Sequence, residues 1–174
     1  MRRVDVVPHD PKWQEAFEIE SNCVANSLGK NVVAVHHIGS TAIPGIYAKP
    51  IIDLLVEVKD IIKVDENNLA MEEIGYEVMC EFGISGRRFF LKNSSGGVRT
   101  HHIHVFEVAS AQVERHLAFR DYMIAHPEDA QKYSVLKRQL AKAHPTNIDG
   151  YVDGKNGFIE IINRKAAQWR LETE

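Results

Sequence analysis

The stretch from Val32 to Val58 constrains this chain most. A β-branched run, Val32-Val33-Ala34-Val35, leads through His36-His37-Ile38 into Gly39-Ser40-Thr41, and Lys49-Pro50 then returns the chain to a second apolar run, Ile51 through Val58. Short apolar runs bounded by Gly, Ser and Pro read as buried strands joined by a tight turn, with one or two short helical turns within Ala42 to Ala48. Asp53 breaks the second run. A carboxylate between Ile52 and Leu54 on a buried strand costs stability unless it faces a polar cleft, so Asp53 reads as functional, and Asp53→Asn is expected to be neutral or stabilising.

The rest of the chain alternates helix and strand patterns. Asp10-Pro11 predicts a helix start, Trp13, Phe17, Val24 and Leu28 fall on one face, and Gly29 ends it. Asp65 is read as the cap of a helix running through Glu73. Tyr76 to Cys80 is a third strand, and Arg87 to Lys92 with Arg99 to Glu107 form a hairpin across Asn93-Ser94-Ser95-Gly96-Gly97. Three helices follow: Ser110 to Ala125, Pro127 to His144, and Tyr151 to about Arg170, the last with Phe158, Ile161, Ile162 and Trp169 on a packed face. The expected class is α/β (α+β), a mixed sheet of about five strands with flanking helices and a helical C-terminal third, in a single domain over 1–174.

Composition removes whole classes of function. The 174 residues are 44% hydrophobic and carry 21 Lys plus Arg against 24 Asp plus Glu, for a net charge of -3, which is neither a disordered chain nor a dedicated nucleic-acid binder. No apolar run approaches the roughly 20 residues that cross a bilayer. The basic start Met1-Arg2-Arg3 is followed by Pro8-His9-Asp10 instead of the apolar stretch of a signal peptide, so a cytoplasmic protein is expected. Cys23 and Cys80 are isolated and build neither a disulfide framework nor a cysteine zinc site.

The chemistry concentrates where the constraint is strongest. A strand, a Gly-Ser turn, a short helix and a second strand bearing an Asp is the layout with which nucleotidyltransferases seat a triphosphate beside a metal. Gly39 lets backbone approach a phosphate, Ser40 and Thr41 add hydroxyls, and a following helix N-terminus offers free N–H groups. The same spacing also fits a plain strand-to-helix connection with a capping Ser. Two rivals fail: Gly39 to Gly45 lacks the Gly-Lys-Ser/Thr ending of a P-loop, and His37-Ile38-Gly39-Ser40 lacks the second, lysine-rich signature of a class I aminoacyl-tRNA synthetase.

Taken together, Asp10-Pro11-Lys12-Trp13, the Gly-Ser stretch, Gly86-Arg87-Arg88-Phe89-Phe90, Arg99-Thr100-His101-His102-Ile103-His104-Val105 and Arg115-His116-Leu117-Ala118-Phe119-Arg120-Asp121-Tyr122, with Tyr151, Lys155 and Phe158-Ile159, resemble the GrpB-like bacterial proteins over nearly the whole chain. The resemblance implies a nucleotidyltransferase superfold and a largely uncharacterised role. It extends to a domain fused to dephospho-coenzyme A kinase in some bacteria, which points to nucleotide or cofactor metabolism.

One departure matters. Active nucleotidyltransferases carry two carboxylates at i and i+2 of the second strand, where both can share metal ions. Here that pair is Asp53 and Leu55, and Glu57 lies about 13 Å further along the strand. His102 and His104, also at i and i+2, project to one face and with Asp53 offer a mononuclear site for Zn, Mn or Fe, with His37 as a fourth ligand. They equally fit a phosphate or polar-ligand pocket, or a purely structural role. His101 belongs to the opposite face. The candidate cofactor is a divalent ion (Mg, Mn or Zn), and the candidate partner is a small phosphate-containing ligand or nucleotide, held by Gly39, Ser40, Thr41, Lys49, Arg87, Arg88, Arg120 and Lys155. No membrane partner is expected, and a non-catalytic ligand- or protein-binding module remains an alternative.

Overall fold

Five strands, β1 (Val32–Ile38), β2 (Ile52–Val58), β3 (Tyr76–Val78), β4 (Arg88–Asn93) and β5 (Arg99–Glu107), form one mixed sheet in the order β1-β2-β5-β4-β3 in a computed structural model that describes residues 3–173. Met1-Arg2, part of the basic start noted above, lie outside the described residues. β2 and β5 run parallel and every other neighbouring pair is antiparallel. The mixed α/β class and the strand count match the expectation from sequence.

The chain resolves into two compact units that interleave in sequence. One comprises residues 11–38 and 51–114, the other residues 3–10, 39–50 and 115–173.

The first unit holds the whole sheet. Helix α1 (Lys12–Leu28) buries Trp13, Phe17, Val24 and Leu28, as the periodicity predicts, but also Glu20, which fills the remaining position of the same stripe. Burial alone would raise the Glu20 carboxyl. The Tyr76 hydroxyl, donating at 2.7 Å, and Lys92 Nζ at 2.9 Å outweigh that and hold it below the usual carboxylate range. Glu20→Gln should therefore cost about 1 kcal/mol, because the amide still accepts from Tyr76 but loses the ion pair with Lys92; urea unfolding reads this, and an unchanged midpoint would contradict it.

Two helix boundaries differ from expectation. α1 begins at Lys12 with Pro11, not Asp10, in the capping position. The helix placed after Asp65 is instead α2 (Ile61–Val64), a 3-10 turn and α3 (Asn68–Glu73), and the cap is Asp60, whose side chain accepts from Ile62 N–H at 3.0 Å. Asp65 is occupied elsewhere: both its oxygens take hydrogen bonds from Arg88, at 2.8 and 3.2 Å.

The second unit contains α4 (Ala111–Ala125) from Arg115 onward, α5 (Pro127–Ala143) and α6 (Ile148–Thr173). Its core joins Ile43 and Ile46 to Ala118, Tyr122, Met123, Ala130, Tyr133, Ile162 and Ala166, with Phe158 and Trp169 packed against them. Ile161, expected on that face, is instead 48% exposed. α6 starts three residues before the predicted Tyr151 and approaches α5 at Gly154, where a Cβ would collide with Leu140. No helix among the described residues is long and apolar enough to cross a membrane.

Candidate functional site

Strand parity sorts the predicted residues. Asp53 pairs with Ile38 on β1 and with His102 on β5, and Leu55 pairs with His36 and His104, so Asp53, Leu55, His36, His102 and His104 share one sheet face. His37 and His101 stand on the other. His37 stacks on Phe17 of α1 at 4.8 Å and bonds Gln14 at 3.3 Å, so it does not join Asp53 as a fourth ligand. His101 lies 3.9 Å from Glu20, the opposite-face placement read from alternation.

On the Asp53 face the side chains form a continuous chain. His102 Nδ1 lies 3.2 Å and His104 Nε2 3.4 Å from the same oxygen, Asp53 Oδ1. Arg99 Nη1 reaches His102 Nε2 at 3.0 Å, and Arg87 Nη1 reaches His104 Nδ1 at 3.3 Å. A guanidinium only donates, so the ring nitrogens facing the arginines accept, and the nitrogens facing Asp53 carry the protons. Both imidazoles thereby donate to one carboxylate oxygen. Burial pushes the Asp53 carboxyl up, but the two histidine hydrogen bonds overcome it and hold Asp53 far below the usual carboxylate range. Its second oxygen, Oδ2, takes no hydrogen bond from any described residue.

The other carboxylate of this face is engaged. Glu57 Oε2 pairs with His36 Nε2 at 2.6 Å, and the fully buried Leu55 stands between Glu57 and Asp53 along β2. Among the described residues, no group of three or more His, Cys, Asp or Glu has an arrangement that could hold a metal ion. The geometry gives a reason: the lone pairs of His102 and His104 point at Arg99 and Arg87, away from Asp53.

Of the two neighbouring arginines, only Arg87 belongs to this face. Its guanidinium lies 4.7 Å over the Phe89 ring and donates to the Glu81 and Phe82 carbonyls at 3.2 and 2.9 Å, which fixes the loop before β4. Arg88, its equal in the sequence reading, is committed to Asp65 on the other face. The sequence reading missed Phe82, 56% exposed, stacked at 5.3 Å on Phe89 and held at φ 47°. A non-Gly residue in that region costs energy and marks a place worth functional attention. The only signal in the sequence was an aromatic residue standing beside Gly83 in a loop.

In the second unit, Gly39 adopts φ 73° and ψ -172°, a conformation essentially reserved for glycine, and the helix expected after it is a single 3-10 turn, Ser40–Ala42. Gly39→Val would strain the backbone itself and so cannot isolate a phosphate contact. Thr41 is buried. Lys49 and Lys155 lie 5.1 and 4.7 Å from the Tyr151 ring centroid. Arg120 bonds Asp121 at 2.9 Å, which also accepts from Arg170 at 3.0 Å.

Residues 3–165 match the family described as GrpB protein. The chain belongs to the GrpB family. It is 44% identical over 169 residues to the UPF0157 protein YqkA of Bacillus subtilis, covering 97% of this chain but only 49% of YqkA, so the chain spans about half the length of that relative. A crystal structure of the conserved protein GrpB from Enterococcus faecalis superposes with a TM-score of 0.92 at 45% identity, over 96% of this chain and 99% of that one. Terminal uridylyl transferase 4 from Trypanosoma brucei, solved with bound dUTP, superposes at 0.57 with 12% identity over 94% of this chain and 55% of its own. That likeness shows the fold alone: this GrpB protein has a nucleotidyltransferase-like fold.

Proposed function

We propose that this GrpB protein binds a nucleotide, or another phosphate-bearing small molecule, and acts in the cytoplasm as a nucleotidyltransferase-like protein. The observation that carries the reading is the chain Arg99–His102–Asp53–His104–Arg87. Two guanidinium groups flank one carboxylate, so the array is net positive and favours an anion. Asp53 Oδ2, kept ionised, is ready to accept from a ligand hydroxyl or amine. Phe82 adds an exposed aromatic face of the kind on which a base stacks. The phosphate role read from the sequence for Gly39, Ser40 and Thr41 is proposed separately from this face, and Gly39 adopts the positive φ that glycine permits. Leu55 in place of a second carboxylate speaks against ordinary two-metal chemistry.

A second reading is a metal-dependent hydrolase or transferase. It is favoured by Asp53, His102 and His104 sharing one face within hydrogen-bond reach. A divalent ion there would take the place of the protons on His102 Nδ1 and His104 Nε2, and would turn the far ring nitrogens into donors facing Arg99 and Arg87. The anion reading requires no such rearrangement. Calorimetric titration with nucleotides, with and without Mg, separates the two. Nucleotide binding in chelator is expected, with Arg99→Gln weakening it about tenfold and Phe82→Ala weakening nucleotides more than inorganic phosphate. Stoichiometric Zn in the purified protein, and ligand binding lost on chelation, would favour the metal site instead.

A further inference from the structure

The second unit gathers three lysines around two tyrosine rings. Tyr133 and Lys137 lie four residues apart on α5, and Tyr151 and Lys155 four apart on α6, so each pair shares a helix face. Lys137 Nζ sits 4.5 Å from the Tyr133 centroid, and Lys155 and Lys49 approach the Tyr151 ring. Lys137 is 1% exposed and Tyr151 is 0% exposed, and both the Lys137 amine and the Tyr151 hydroxyl are buried without a hydrogen-bond partner among the described residues.

Those two orphaned groups need a cause. A buried amine without an acceptor costs several kcal/mol, and native structures rarely tolerate it without a function. Packing does not supply one, because a methionine would fill the same volume. An internal ion pair does not supply one either. The charged side chains that act on Lys137 are Lys155 and Lys49, and both repel it; with burial, they push its amine down to about 6. Burial likewise pushes the Tyr151 hydroxyl up and keeps it a donor at any working pH. Three amines and a hydroxyl therefore stand together as donors with no acidic partner acting on Lys137.

We propose that Lys49, Lys137, Lys155 and the Tyr151 hydroxyl form a binding site for an oligophosphate group, whose acceptor oxygens supply what the buried Lys137 amine and Tyr151 hydroxyl lack. This goes beyond the reading of the sheet face, because it concerns residues 39–50 and 115–173 alone. A chain of phosphates suits the cluster better than a single carboxylate, since three lysine side chains can each donate to separate oxygens. The same chemistry is offered by a free oligophosphate and by the tail of a nucleoside triphosphate.

Calorimetry with the full chain tests the site, using inorganic tripolyphosphate, orthophosphate and a nucleoside triphosphate as probes. Tripolyphosphate is expected to bind at least tenfold more tightly than orthophosphate. Lys137→Met and Lys155→Gln should each weaken it tenfold or more, while Lys142→Gln, at an exposed position of the same helix as Lys137, leaves it within about twofold. Should the triphosphate bind much more tightly than tripolyphosphate, with the same loss in Lys137→Met, the site holds a nucleotide's tail; equal affinities mark a free oligophosphate. Lys155→Gln keeps the test open if Lys137→Met does not fold. Wild-type tripolyphosphate affinity in both lysine variants would overturn the proposal. If nucleotide binding were still lost in Arg99→Gln, the sheet-face reading would survive that failure.

Discussion

Lys137→Met should raise the stability of the unliganded protein by about 3 kcal/mol at pH 7.5, roughly 6–12 °C in melting temperature for a chain of this size. The buried amine gains no acceptor in the fold, faces two other cations, and gives way to a side chain of similar length with no charge to desolvate. The pH dependence follows from linkage. The amine titrates near 6 in the folded state and near 10.4 when unfolded, so between those values the unfolded chain binds more protons and Lys137 opposes folding. The wild type should gain stability on Lys137's account as pH rises from about 6 toward 10. The advantage of Lys137→Met should shrink over the same range and stay flat below pH 6. Thermal unfolding across pH 5 to 10 measures it. A variant less stable than wild type at pH 7.5 would mean that Lys137 has a stabilising partner in the fold.

Asp53→Asn is the second large effect, and the structure reverses the direction read from the sequence. The isolated acid of a buried strand looked like a cost that an amide would relieve. Asp53 instead accepts from two imidazoles whose protons Arg99 and Arg87 direct toward it. Replacing two charge-assisted hydrogen bonds with neutral ones should cost about 2 kcal/mol. Because the folded carboxyl titrates below its unfolded value, its contribution is fully present above about pH 4 and is lost as the pH falls further. The gap between wild type and Asp53→Asn should therefore be constant near neutrality and close in acid. Urea titrations at pH 7 and pH 3 would show this, and equal stability at pH 7 would sink the assignment of both histidines as donors.

Local pattern carried much of the architecture. Alternation alone placed His102 and His104 on one face and His101 on the other, because side-chain direction in a strand has a period of two and needs no knowledge of neighbours. The same rule put Leu55 where a second carboxylate would have stood. Helical periodicity marked the buried stripe of α1, and Pro127 marked the start of α5. The motif wording was specific enough to indicate the GrpB family. Charged members of the core escaped: Glu20 lies in the stripe of Trp13 and Phe17, yet a lone glutamate in a helix reads as solvent-facing until Tyr76 and Lys92 are seen to close over it.

Tertiary structure decided the rest. Which strand neighbours β2 is a pairing between residues about fifty positions apart, and nothing in Ile52–Val58 or Arg99–Glu107 encodes it locally. The parallel register set Asp53 against His102 and created the carboxylate–imidazole chain. Arg87 and Arg88 were indistinguishable as neighbours in sequence, but the pleat sent one to His104 and the other to Asp65. Lys137 resembled any helical surface cation until the fold buried it beside Tyr133, because desolvation and repulsion depend on distances through space. The sequence by itself determined the elements, their faces and the family; only the packing of those elements decided which polar groups are paired and which are buried without a hydrogen-bond partner among the described residues.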